Sequence, residues 1–234
     1  MTGGRPFAPA TRRSAARGGA PEPGGARRRA LLQAAPALAA LGMTTACTVL
    51  ENTAPRFDFF VIEDLHTPAP SPDGTTRAKL TLLLAIGPSQ SLYESDRIVY
   101  TRDGPSRSYY QYSNWSERPV RRIVSLAEAR LAAGGRFRAV AQTVSGVRGD
   151  LVLTVRLDEL IHDDSVSPGQ LRVGIAAELV AWRSRSLAGR QTFRQTAPVA
   201  SRDARGAARA ASVAVTAALD ALTAWTESFA DSPA

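Results

Sequence analysis

The chain has 234 residues, 29 basic and 21 acidic, two histidines and one cysteine, with a formal net charge of +8 and a pI near 10.6. A lone cysteine excludes an intrachain disulfide, and two histidines nearly exclude a multi-histidine metal site built by this chain alone. The basic excess is what a nucleic-acid binder carries, so where it sits along the chain decides whether that class survives.

It sits at the front. Seven arginines (Arg5, Arg12, Arg13, Arg17, Arg27, Arg28, Arg29) and one acid, Glu22, precede Cys47. Without them the counts fall from 29 to 22 and from 21 to 20, a net charge of +2. Residues 1–26 are rich in Gly, Pro, Ala and Arg, lack apolar periodicity, and are expected to be disordered. Arg27-Arg28-Arg29 then leads into an apolar run from Ala30 to Met43, interrupted by Gln33 and Pro36 and shorter than a membrane span. It ends in Thr44-Thr45-Ala46-Cys47.

A cationic segment, a short apolar segment and small residues at a processing point make a bacterial export signal. The cysteine suggests a lipoprotein, cleaved between Ala46 and Cys47, with Cys47 as the acylated new N-terminus. Thr44 stands where such signals usually have leucine. Arg28-Arg29-Ala30-Leu31-Leu32 fits a twin-arginine signal as well as the commoner generic cationic region. The other reading of Cys47 is a free thiol behind a basic tail. Residues 1–46 are thus expected to be a leader, 47–54 an acylated tether, and 55–230 one folded domain; the 188 residues from Cys47 onward suffice for a single core.

Phe57 to Ile62 is aromatic and β-branched, which predicts a strand, followed by a Pro/Ser/Gly loop from Thr67 to Thr75. Lys79 to Ile86 is a second strand, apolar enough to be buried on both faces and ended by Gly87-Pro88. Arg97 to Tyr100 and Ser108 to Tyr112 read as paired strands around Asp103-Gly104-Pro105. From Pro119, apolar residues recur as Val120, Ile123, Val124, Ala127 and Leu131, a helix that Gly134-Gly135 stops.

Phe137 to Gln142 is a short strand. Leu151 to Asp158 and Leu171 to Trp182 are long strands, joined across Asp163 to Gln170, and Gly189 to Thr196 adds a third antiparallel strand. A last helix covers Ala204 to Phe229, with Val215, Leu219, Leu222, Trp225 and Phe229 on one stripe. The sum is an α+β fold, a mostly antiparallel sheet with two main helices packed on one face.

Candidate chemistry is sparse. His162-Asp163-Asp164 reads as a solvated acidic turn before it reads as part of a metal site. Gly87-Pro88-Ser89-Gln90-Ser91 lacks the second glycine of a nucleophile elbow. No phosphate-binding glycine loop with Lys and Ser/Thr exists, Lys79 being the sole lysine. A secreted hydrolase using Ser89 or His162 lacks partner groups for either.

Pro88, Tyr93, Asp96-Arg97-Ile98-Val99-Tyr100, Tyr109-Tyr110-Gln111-Tyr112-Ser113-Asn114-Trp115 and the proline-started helix together resemble the ABC-type transport auxiliary lipoprotein family, which includes the Pqi-type intermembrane-transport lipoproteins. The similarity runs through Leu151–His162 to the terminal helix bearing Trp225, covering most of residues 55–229. It implies a single periplasmic domain with no catalysis and no cofactor, lipid-anchored and docking on the MCE-type substrate-binding protein and the ABC permease/ATPase of a transport system that moves lipid between inner and outer membranes.

Thr48, where an aspartate would retain the lipoprotein at the inner membrane, points to the outer membrane. Nucleic acid is not an expected partner, and a second copy of the chain remains open. Tyr93, Tyr100, Tyr110, Tyr112 and Trp115 are the candidate docking residues, since Tyr and Trp offer rigid, amphipathic contact area. The competing reading puts these aromatics half in the core and half in solvent, as strand residues ordinarily are. A general envelope lipoprotein with a structural or assembly role is the alternative function.

Overall fold

The computed structural model describes residues 55–67 and 79–231. The leader, the Ala46–Cys47 junction, the tether and most of the Thr67–Thr75 loop lie outside them. The described elements belong to one compact unit, Thr53–Ala234.

Eight strands form one sheet: β1 (Asp58–Phe60), β2 (Thr81–Ile86), β3 (Arg97–Thr101), β4 (Ser108–Trp115), β5 (Ala139–Gln142), β6 (Leu151–Asp163), β7 (Gln170–Ala181) and β8 (Ser186–Pro198). Two helices, α1 (Pro119–Ala133) and α2 (Ala204–Glu227), complete the α+β domain expected from the sequence. The long strand β6 organises the sheet. Its whole length pairs antiparallel with β7, and β7 with β8. Its other edge is shared, the first half pairing with β2 and the last two residues with β3, both in parallel. Strands β5 and β2 are also parallel, as are β1 and β4, while β3 and β4 form the expected hairpin. The sheet is therefore mixed, with its longest ladders antiparallel.

The helices form because each carries one apolar stripe with a defined start. In α1, Pro119 fills the first turn, where its missing N–H costs nothing, and Val120, Ile123, Val124, Ala127 and Leu131 are all buried. Gly134 caps the helix through its N–H to Arg130 O at 2.9 Å, and Gly135 follows at φ 66°. In α2, the Asp203 carboxylate caps the start by accepting the Gly206 N–H at 2.7 Å. Gly206 is required there: a Cβ would stand 2.1 Å from the Ser201 carbonyl oxygen.

Alanines at 207, 211, 214 and 218 let α2 lie close to the sheet, and Val215, Leu219 and Leu222 fill the space between. Each such buried Val or Leu contributes about 1.5–3 kcal/mol. By length and composition α2 could cross a membrane, but 56% of its apolar window is buried inside the domain, which makes it a core helix. Trp225 in its last turn packs edge-on against Phe193 and Phe229, with ring centroids 5.9 and 5.3 Å apart. Gly189 of β8 leaves room for these rings, since a Cβ there would meet those of Trp225 and Phe229 at about 3 Å.

Candidate functional site

Two assemblies of side chains stand out. The first lies where β3, β4 and β6 meet. The β3–β4 turn is fixed by Asp103, whose carboxylate accepts the Ser106 N–H at 2.9 Å and the Thr101 hydroxyl at 3.2 Å, with Gly104 at φ 86°. The Ser106 hydrogen bonds hold the Asp103 carboxyl below its ordinary range. This hairpin brings Tyr100 and Tyr110 together at a centroid distance of 4.8 Å, and Arg102 lies over the Tyr100 ring at 5.1 Å.

Tyr110 reaches His162 on β6: its hydroxyl and the imidazole Nδ1 share a 2.7 Å hydrogen bond, with the rings stacked 7° from parallel. His162 is buried, and its Nε2 has no partner among the described residues. Burial pushes the histidine below its ordinary value, outweighing Asp164 and Asp163, so the ring is neutral at neutral pH. Burial also pushes Tyr110 up to about 12, with the Asp164 charge adding to it. A phenol held protonated beside a neutral, enclosed imidazole supplies neither a nucleophile nor a base to solvent.

The acidic turn expected at His162-Asp163-Asp164 is corrected here. His162 and Asp163 are the buried end of β6, paired with Tyr100 and Thr101. Burial alone would raise Asp163, but hydrogen bonds from Ser165 and the Arg172 charge lower it below the ordinary carboxylate range. Arg172, which ion-pairs with Asp163, also binds Glu159 at 2.7 Å. The strand continues to Asp163 because Arg172, nine residues on, and Ser165, two residues on, satisfy a charge that would otherwise need water. Ser89 is likewise structural: its hydroxyl accepts the Leu157 N–H at 3.0 Å, where β6 bulges. Among the described residues no group of three His, Cys, Asp or Glu could hold a metal ion.

His162 has an acid-side consequence. Its folded value lies below that of the unfolded chain, about 6.5. The unfolded state therefore binds more protons between those two values, and folding stability falls as pH drops through that window. Urea unfolding at pH 7.5 and pH 5.0 is expected to show a smaller loss for His162→Gln than for the parent; equal losses would remove His162 as the cause.

The second assembly holds the chain just before the fold begins in earnest. Residues 61–66 run on from β1 and are strapped to both helices. Arg122 of α1 donates to Ile62 O at 2.8 Å, the Ser212 hydroxyl of α2 accepts the Glu63 N–H at 3.0 Å, and Thr216 accepts the Leu65 N–H at 2.9 Å. Arg130 of α1 forks between Asp64 and Asp220 of α2 in two ion pairs, and His66 meets the same Asp220 at 3.0 Å. Burial of Asp64 is outweighed by the Arg130 hydrogen bonds, which hold its carboxyl below the ordinary range.

The five candidate docking residues divide. Tyr93 and Trp115 are core residues at 5% and 3% exposure and present no surface. Tyr100 and Tyr110 are half-buried around His162. Tyr112 is exposed and packs edge-on against Phe57 at 5.7 Å. Sequence reasoning missed the Tyr110–His162 pair and the strap, whose members are far apart in the chain.

Residues 64–223 match the family described as ABC-type transport auxiliary lipoprotein component. Among solved structures, a Xanthomonas campestris protein is similar at a TM-score of 0.63 and 19% identity, covering 72% of this chain and 93% of its own, a likeness of fold. More distant are the PelC dodecamer from Paraburkholderia phytofirmans (TM-score 0.37, 16% identity, 59% of this chain and 85% of that one) and lipoprotein GNA1162 from Neisseria meningitidis (0.32, 11%, 66% and 100%). No curated protein matches the chain in sequence. With its match spanning well over half the chain, the protein belongs to the ABC-type transport auxiliary lipoprotein family.

Proposed function

We infer that the protein is a non-catalytic component of an ABC/MCE-type transport system, moving lipid between the inner and outer membranes, and that it works by docking on its partner proteins. The family match over residues 64–223 carries this reading. The position of Cys47, eight residues before the described domain begins at Pro55, supports a lipid anchor facing the periplasm. Thr48 favours the outer membrane.

The candidate chemistry agrees with a binding role, since His162, Tyr110 and Ser89 are each committed to internal contacts. Of the aromatic residues proposed for docking, Tyr112 is the one with open surface. A pull-down with the protein from detergent-solubilised envelope is expected to recover an MCE-type protein together with the permease or ATPase. Recovery of neither would favour a structural or assembly role in the envelope.

A further inference from the structure

The strap leaves one side of the chain uncovered. Along β1 alternate side chains point to opposite sides, and the alternation of exposed and covered residues continues through Leu65. Phe60, Ile62 and Asp64 point into the fold. On the other side Phe57, Phe59, Val61 and Leu65 are 53%, 63%, 46% and 52% exposed. These four apolar side chains, interrupted on that side by Glu63, make a ridge, unlike the single exposed apolar residues of ordinary surfaces.

The ridge borders an open groove of about 430 Å³, whose other wall is the outer face of α2 with Arg205, Arg209 and Val213. Val213 is itself 50% exposed. Arg205 leans over the Phe60 ring at 5.9 Å, and its charge also acts on the Asp203 carboxylate at the start of α2. Glu63 is the one carboxylate lining the groove, which is left with an excess positive charge.

We propose that this ridge and its two arginines seat the domain on an anionic lipid surface, with Phe59, Val61, Leu65 and Val213 entering the interface and Arg205 and Arg209 meeting lipid phosphates. The occupant follows from chain length and charge. Ten residues separate Cys47 from Phe57, a reach of at most about 36 Å when fully extended. An anchored Cys47 therefore keeps Phe57 within that distance of the bilayer, which lets the ridge reach it. Guanidinium groups fork onto phosphate oxygens and keep their charge there. Apolar side chains flanked by cations are the composition of an interfacial surface.

The orientation rests on the lipid-anchored reading above, but the test is independent of acylation. Residues 48–234 contain every described element and lack Cys47. Their partition onto vesicles of phosphatidylglycerol and phosphatidylcholine would be measured by co-sedimentation, against phosphatidylcholine alone, at low and physiological salt. Binding is expected to need the anionic lipid and to weaken with salt. Arg205→Gln with Arg209→Gln is expected to lower the partition coefficient roughly twenty-five-fold, at about fivefold for each charge near an anionic surface. Phe59→Ser lowers it as well, and Glu63→Gln raises it by about fivefold.

All four positions are exposed, so unchanged melting temperatures separate lost binding from lost folding. Absence of binding above the neutral-vesicle level, or binding indifferent to these substitutions, overturns the proposal. So does a concentration-dependent dimer that Phe59→Ser dissociates, which would assign the ridge to a second copy. An intact mass lacking acyl chains on Cys47 would strike the anchor and leave the vesicle result standing.

Discussion

Arg130→Met is expected to lower the melting temperature of the domain by roughly 6–12 °C, the equivalent of about 3 kcal/mol for a domain of this size. The Arg130 side chain is only 8% exposed and that of its partner Asp64 is 16% exposed. Methionine replaces the aliphatic stem but leaves Asp64 as an uncompensated, largely buried carboxylate. The cost comes from that stranded charge more than from the attraction removed. Asp220, at 51% exposure, loses a partner but keeps its water, so it adds little.

Two further measurements separate this cause from simple loss of packing. Arg130→Lys should recover part of the stability, because an ammonium neutralises one carboxylate but cannot fork between two. The gap between parent and Arg130→Met should also close in acid. Asp64 has a folded value below its unfolded one, so its contribution is present above about pH 4 and is lost as pH falls through the folded value. A gap that stays constant from pH 7 to pH 3 would show that Asp64 is not the group left stranded.

What could be read from the sequence was whatever repeats locally. Val120, Ile123, Val124, Ala127 and Leu131 announce a helix because they recur at its period, and all five are buried in α1. The β3–β4 hairpin was legible through Asp103-Gly104, whose hydrogen bonds make the turn. Burial of Thr81 to Leu84 in β2 follows from an unbroken apolar run. The parallel pairings of β2 with β6 and of β1 with β4 leave no such mark. They join segments about 55 to 70 residues apart, and each strand's pattern records its own faces and not its neighbour.

The misreading at His162-Asp163 has a specific origin. Charged residues near a turn normally mean solvent, and the prediction holds unless something distant satisfies them. Here Arg172 and Ser165 do so for Asp163, and Tyr110 does so for one nitrogen of His162. Tyr93 is buried because a short helical turn, Ser91–Tyr93, rotates it inward. Nothing in its flanking residues distinguishes it from the exposed Tyr112. The aromatic and β-branched run from Phe57 to Ile62 predicted a strand, but which side would stay bare depended on α2, about 150 residues later, taking the other side.

Cys47→Ala is expected to move the protein from the membrane fraction to the soluble fraction or to leave it unprocessed, a change of state rather than of degree. One acyl chain binds a bilayer only marginally, and stable anchoring needs two signals or more. The triacylated cysteine of a processed lipoprotein supplies them from one residue. The interfacial ridge at Phe59 and Val61 cannot replace that anchor, since a few half-exposed side chains bury far less apolar area than several acyl chains. Intact mass of the membrane-extracted parent should correspond to residues 47–234 plus acyl chains, and that of the variant should show no acyl mass. Thr44→Leu, which restores the usual residue at that position, should raise the processed fraction if Thr44 slows cleavage. Unchanged fractionation and mass in Cys47→Ala would place the anchor elsewhere and return Cys47 to a free thiol.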